Sequence, residues 1–165
     1  MRAGVSVGTL YQYFPNKSAL LQAALRRHLD AIMEAMERVC MEQKGRTLVE
    51  MATALINAFL EAKMRDVKTS VALYSVSSDV DGARITRQNG VRGNAAIADM
   101  LASAREPLTR DPKLVASMLQ SAMVGVSRRL LESDEPEKQF DAVRQELILL
   151  VCAYLEACSV RHLEQ

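Results

Sequence analysis

The sequence has no tryptophan, only three phenylalanines and four tyrosines, and no apolar stretch of about 18 residues that could cross a bilayer. An interior stacked from aromatic rings is therefore not expected. No segment alternates apolar and polar residues with period two for long enough to suggest a sheet. Cysteine is scarce: Cys40, Cys152 and Cys158 form an odd set without C-x-x-C spacing, and each sits in an apolar helical pattern. Buried structural thiols are expected, because a free cysteine behaves there as a small hydrophobe. Charge of one sign is also lacking overall, since 21 Lys and Arg face 20 Asp and Glu. Its distribution is uneven, with four basic and no acidic side chains in residues 1–29 and a net −3 in the remainder. The basic beginning could face a polyanion. Met1 to Phe14 carries no apolar signal core, so a cytoplasmic protein without a membrane partner is expected.

Several enzyme signatures are missing too. Asp79-Val-Asp-Gly82 starts like a calcium loop but lacks its later ligands, and His28 and His162 have no metal-ligand companions at recognised spacing. There is no nucleophile elbow, phosphate loop or dinucleotide glycine pattern. Neither catalysis, nor a metal, nor a cofactor is expected.

What is present is amphipathic helix. From Asn16, a capping residue after Pro15, the residues Leu20, Leu21, Ala24, Leu25, Ile32, Met36, Val39 and Cys40 make one apolar stripe. Thr47-Leu-Val-Glu50 has capping-box spacing ahead of Leu48, Met51, Leu55, Phe59 and Leu60. Asp66 caps a shorter segment through Ala72 and Tyr74, which fades into a loop over 75–81. Helix resumes near Ala83 and ends near Glu106 and Pro107, although Gly90 and Gly93 each cost about 1 kcal/mol in a helix interior. Asp111-Pro112 opens a helix through Leu130, and after Pro136 a last helix carries Phe140 to Leu155. The fold class is all-α.

The short connection between the last two helices predicts an antiparallel hairpin. Its small positions, including Gly125, Ala142, Ala153 and Ala157, would admit a second copy, giving a homodimer with Met118, Ala122, Leu147, Val151 and Tyr154 at the interface. Nine methionines favour an adaptable aliphatic interior. Met33, Met36, Met51, Phe59, Met64, Tyr74, Ile97 and Met100 are candidates for a cavity that takes a small apolar or amphipathic molecule. Asn57, Gln88, Asn89 or Arg87 would orient its polar end.

The stretch Ala3-Gly-Val-Ser-Val-Gly-Thr-Leu-Tyr-Gln-Tyr-Phe-Pro-Asn-Lys-Ser-Ala-Leu-Leu21 closely resembles the helix-turn-helix of TetR/AcrR transcriptional regulators. By residue chemistry, Gly4 suits a tight turn, Ser6 can cap the next helix, and Leu10 and Phe14 share its packing face. A short helix rich in small side chains can enter a major groove, where Gln reads adenine and Thr either base type. The resemblance implies that Ser6, Val7, Gly8, Thr9, Tyr11, Gln12 and Tyr13 lie in the DNA-contacting region, and that Tyr13 and Lys17 meet backbone phosphates. The family has two helices before this turn, and Met1-Arg2-Ala3 is all that could remain of them. The expectation is a domain lacking its first helix and most of its second.

The resemblance further implies residues 1–40 as a partial helix-turn-helix domain with a long linking helix, and residues 41–165 as an effector-binding and dimerisation domain. The expected function is a repressor released from double-stranded operator DNA when an effector binds. The alternative is a dimerisation or ligand-binding module that does not bind DNA specifically.

Overall fold

The computed structural model describes residues 16–77 and 80–160, and the side chains of all of these except 74–77 and 80. Six helices account for most of them: α1 Lys17–Glu42, α2 Leu48–Met64, α3 Val67–Ser77, α4 Val80–Ala102, α5 Pro112–Leu131 and α6 Pro136–Ala157. Among the described residues there is no strand, and one isolated antiparallel bridge joins Leu108 to Ser159. Thr109 N–H donates to Cys158 O (2.7 Å) and Val160 N–H to Pro107 O (3.1 Å), so the end of α6 is stitched to the α4–α5 connection.

The helices start where the sequence supplies acceptors for otherwise orphaned N–H groups. Asn16 Oδ1 accepts from Ala19 N–H at 2.8 Å, Asp66 Oδ1 from Thr69 N–H at 2.9 Å and Asp111 Oδ1 from Lys113 N–H at 3.0 Å. Thr47 and Glu50 form the full reciprocal capping box at α2. α6 instead begins with Pro136, whose missing N–H is harmless there, and Glu135 makes no side-chain cap.

Two expectations need correction. The region 75–81 is not a loop in its described part, since α3 runs to Ser77 and α4 already begins at Val80. Asp81 lies in the first turn of α4, where a carboxylate suits the helix dipole, and it accepts a hydrogen bond from Gln22 Nε2 of α1 (3.0 Å). α4 also ends earlier than expected, at Ala102. The next residues reach back to the α1–α2 turn: Arg105 N–H and Nε–H bond Arg46 O and Gly45 O, and Glu106 Oε2 accepts from Leu48 N–H. That turn depends on Gly45, which has φ +74°.

α1 packs on α4 and α2, α2 packs on α6, and α5 packs on both α4 and α6. Ion pairs tie α1 and the turn after it to α4, with Arg92 across Glu37 and Asp30, and Lys44 across Asp99. Gly93 persists inside α4 because the helices meet closely there: a Cβ would lie 2.6 Å from Gln120 Nε2 and 3.1 Å from Met33 Cε.

The buried apolar residues form two clusters. The larger joins α2 residues such as Met51, Leu55, Ile56 and Leu60 with the far half of α1 and with α4, α5 and α6. The smaller comprises Leu25, Leu73 and Ile85, flanked by Leu21 and Leu29, and holds the near half of α1 against α3 and α4. No described helix is long and apolar enough to cross a membrane.

Candidate functional site

Between the two clusters lies a cavity of about 560 Å³, a size ordinary for small-molecule sites. α1 contributes three turns of its wall through Leu25, His28, Leu29, Ile32, Met33 and Met36. α2 adds Phe59 and Lys63, α3 adds Ser70 and Leu73, and α4 adds Thr86, Asn89 and Gly90. α5 closes the remaining side with Gln120, Ser121, Met123, Val124, Gly125 and Arg128. The lining is mainly aliphatic, and none of these described side chains is a carboxylate.

The polar groups concentrate where α1, α2 and α3 meet. Lys63 is buried, with Nζ 5.9 Å from the centre of the Phe59 ring, and burial pulls its pKa down to about 8. Ser70 Oγ donates to Lys63 O (2.9 Å) and lies 3.2 Å from His28 Nε2. Since the single hydroxyl proton is already committed to the carbonyl, the imidazole Nε2–H must be the donor to Ser70. Burial first, and then the positive charge of Lys63, hold His28 below the ordinary histidine range, against the opposing pull of Asp66. On the α4 wall, Asn89 Nδ2 donates to Ile85 O (3.2 Å), while its buried Oδ1 has no partner.

Of the residues expected to hold a ligand, Met33, Met36, Phe59 and Asn89 line this cavity. Asn57, Gln88 and Met100 do not. Asn57 lies one turn beyond Thr53, which bonds Cys152 of α6, so it shares the face of α2 turned away from the cavity. Gln88 is exposed, and Met100 is fully buried in the larger core beside Met51 and Ile97. The side chain of Tyr74 lies outside the described residues. Arg87 is exposed, and Met64 does not line the cavity. Sequence reading missed His28, Lys63, Ser70 and all of the α5 wall. A signal existed for the first two: Lys63 follows Phe59 by four residues and His28 follows Leu25 by three, so each is a polar residue on an apolar stripe.

Of the expected interface residues, Met118 is exposed while Ala122 and Tyr154 are half-buried. Leu147 and Val151 are each only 2% exposed and belong to the larger core of the single chain. They face inward because α6 turns that stripe onto α2. Besides Met118, exposed apolar and small residues of the pair include Leu114 and Gly125 on α5, and Ala142, Leu149, Leu150, Ala153 and Ala157 on α6. Their spacing draws one stripe along each helix. Lys17 is exposed at the first turn of α1. Ser6, Val7, Gly8, Thr9, Tyr11, Gln12 and Tyr13 lie outside the described residues.

The fold and this site define a helical body built around a small-molecule-sized cavity, with one long helix leading out of its wall. Residues 47–155 match the family described as Tetracyclin repressor-like, C-terminal domain, and residues 1–24 match Bacterial regulatory proteins, tetR family. The chain therefore belongs to the TetR family of transcriptional regulators and is a regulator, not an enzyme. A search of curated proteins finds no match to it.

Proposed function

We propose that the protein is a ligand-responsive repressor that binds operator DNA as a homodimer and releases it when a small apolar or amphipathic effector fills the cavity. The observation that carries this reading is the position of α1. The same helix walls the cavity from Leu25 to Met36 and begins at Lys17, within the segment 1–24 that matches Bacterial regulatory proteins, tetR family. The cavity separates the small cluster around Leu25 from the main core. An occupant would contact both clusters and bias the tilt of the near half of α1.

Residues 1–40 would then be the DNA-binding part with its linking helix, and residues 41–165 the effector-binding and dimerisation part. Ser6 to Tyr13 would enter the major groove, with Gln12 reading a base and Tyr13 and Lys17 holding phosphates. The dipole and free N–H groups at the start of α1 add to the attraction of Lys17 for phosphate. Two copies joined through α5 and α6 would form a four-helix bundle, with the exposed stripe through Leu114, Met118, Leu150 and Ala153 as its seam. Paired recognition helices must match grooves about 34–36 Å apart, so a small displacement of α1 weakens both half-sites. Release requires only that DNA and effector favour different tilts.

Selection from a random duplex library tests the DNA-binding half of this reading. Enrichment of an inverted repeat is expected, with Gln12→Ala weakening that site more than a scrambled duplex and Lys17→Ala weakening both and flattening the salt dependence. A chain that enriches no sequence is a ligand-binding or dimerisation module, and the repressor reading fails.

A further inference from the structure

We infer that the effector cavity is entered between α4 and α5, through a mouth that the mid-helix glycines Gly90 and Gly125 hold open, and that these positions set how fast a ligand passes. This inference rests on the effector cavity proposed above and adds its route of access.

The wall reaches solvent along one seam. The lining residues contributed by α1, α2 and α3 are all buried or half-buried, and so are Asn89, Gly90, Gln120 and Met123. The exposed ones are Thr86 on α4 and Ser121, Val124, Gly125 and Arg128 on α5. All of these stand on two helices that pack against each other. A cavity whose wall is exposed only along that seam opens there.

The glycines mark the same place. In a helix interior glycine is less favourable than alanine, so it persists where a side chain would collide or where the missing side chain leaves room that is used. Gly93 is of the first kind, since a Cβ there would lie 2.6 Å from Gln120 Nε2. Gly90, three residues earlier, lines the cavity and has no described atom within 4 Å of the same position; Gly125 shares both properties. Packing within the chain thus accounts for Gly93 and for neither of the other two. The room over Gly90 and Gly125 is the room that an entering molecule crosses. Side chains placed there would narrow the mouth and leave the aliphatic floor of Ile32, Met33, Leu73 and Met123 intact.

The rim suits an amphipathic visitor. Thr86 and Ser121 carry hydroxyls that can hold the polar end of a ligand while its apolar end moves toward the floor. On α5 the mouth borders the proposed dimer seam, because Ser121 and Gly125 follow Met118 at helical spacing. Thr86 and Gly90 belong to α4, outside that seam, so substitutions there address the mouth and spare the interface.

Stopped-flow fluorescence of the neutral probe N-phenyl-1-naphthylamine on the whole chain gives association and dissociation rates separately. Gly90→Leu should slow both by about tenfold and leave Kd within about threefold, because a narrower mouth raises the barrier without altering the bound state. Gly90→Ala adds only a Cβ and should keep both rates within about threefold of the unaltered chain. Alanine and leucine are both strong helix formers, so the two variants strengthen α4 alike. Equal slowing by both would mean that entry follows helix opening, and would overturn the mouth. Ala95→Leu, exposed on α4 and outside the cavity lining, should change neither rate. Should Gly90→Leu not fold, Thr86→Phe at the exposed rim decides by the same criteria. Unaltered rates, or affinity lost through faster dissociation alone, overturn the entry route and leave the effector cavity standing. A probe that does not perturb the methyl resonances of Met33, Met36 and Met123 removes the cavity reading itself and this inference with it.

Discussion

Replacing Lys63 by methionine should stabilise the protein at neutral pH, an unusual result for a change at a buried, cavity-lining position. The side chains have similar reach, and methionine leaves no charge to desolvate. In the folded protein burial lowers the lysine pKa from its ordinary 10.5 to about 8. At about 1.36 kcal/mol per pKa unit, keeping that ammonium charged at pH 7 costs about 3 kcal/mol. The ammonium's position over Phe59 returns about 0.5–1 kcal/mol and its other contacts offset more, so a net gain of up to about 2 kcal/mol is expected from the substitution. The pH dependence identifies the cause. Between about 8 and 10.5 the unfolded chain binds the Lys63 proton and the folded chain does not, so native stability rises with pH across that window. The penalty is fully present below about 8 and falls under about 1 kcal/mol by pH 10, so the advantage of Lys63→Met should shrink as pH rises. Urea denaturation of both proteins at one protein concentration, at pH 7, 8, 9 and 10, measures this directly. A variant less stable than the parent at pH 7, or a difference that does not change with pH, would refute the burial argument.

At the proposed seam, Leu150→Glu and Met118→Glu should shift sedimentation toward monomer while leaving helicity intact, since both residues are exposed in the single chain. Leu147→Glu should instead unfold the chain, because that residue is 2% exposed within its core; a folded monomer from Leu147→Glu would contradict the packing described. Two glycines should respond with opposite signs. Gly45→Ala, at φ +74°, should lower stability by about 1 kcal/mol, and Gly90→Ala, inside α4 with open space around its Cβ, should raise it by up to about 1 kcal/mol, both read from denaturant midpoints. Iodoacetamide at pH 8 should alkylate half-buried Cys152 before Cys40, whose thiol is buried and pushed up to about 12; labelling of Cys40 first, followed by peptide mass, would show that its burial is not maintained in solution.

Local chemistry alone was enough to determine most helix starts, because capping is a contact over three residues: Asn16, Thr47 with Glu50, Asp66 and Asp111 all act as their spacing predicts. The all-α class followed equally from periodicity, and the opening residues carried the family resemblance without any tertiary information. Where partners come from distant parts of the chain, sequence said less. The early end of α4 depends on Glu106 and Arg105 meeting a turn some 60 positions away. Apolar residues on α6 also cannot announce whether they meet their own subunit or another: Leu147 and Leu150 are alike in sequence, and only the roll of α6 against α2 makes one core and the other surface. The cavity shows the same limit. Methionine content suggested an adaptable interior, but Met33 and Met36 line the opening while Met51 and Met100 fill the core, because helix crossings decide where space remains. Lys63 and His28 were legible only as polar interruptions of apolar stripes. Tertiary packing brought them to Ser70 and packed them beside Phe59 and Leu25, because electrostatic environment is set by what lies across a helix interface and that neighbour is chosen by the fold.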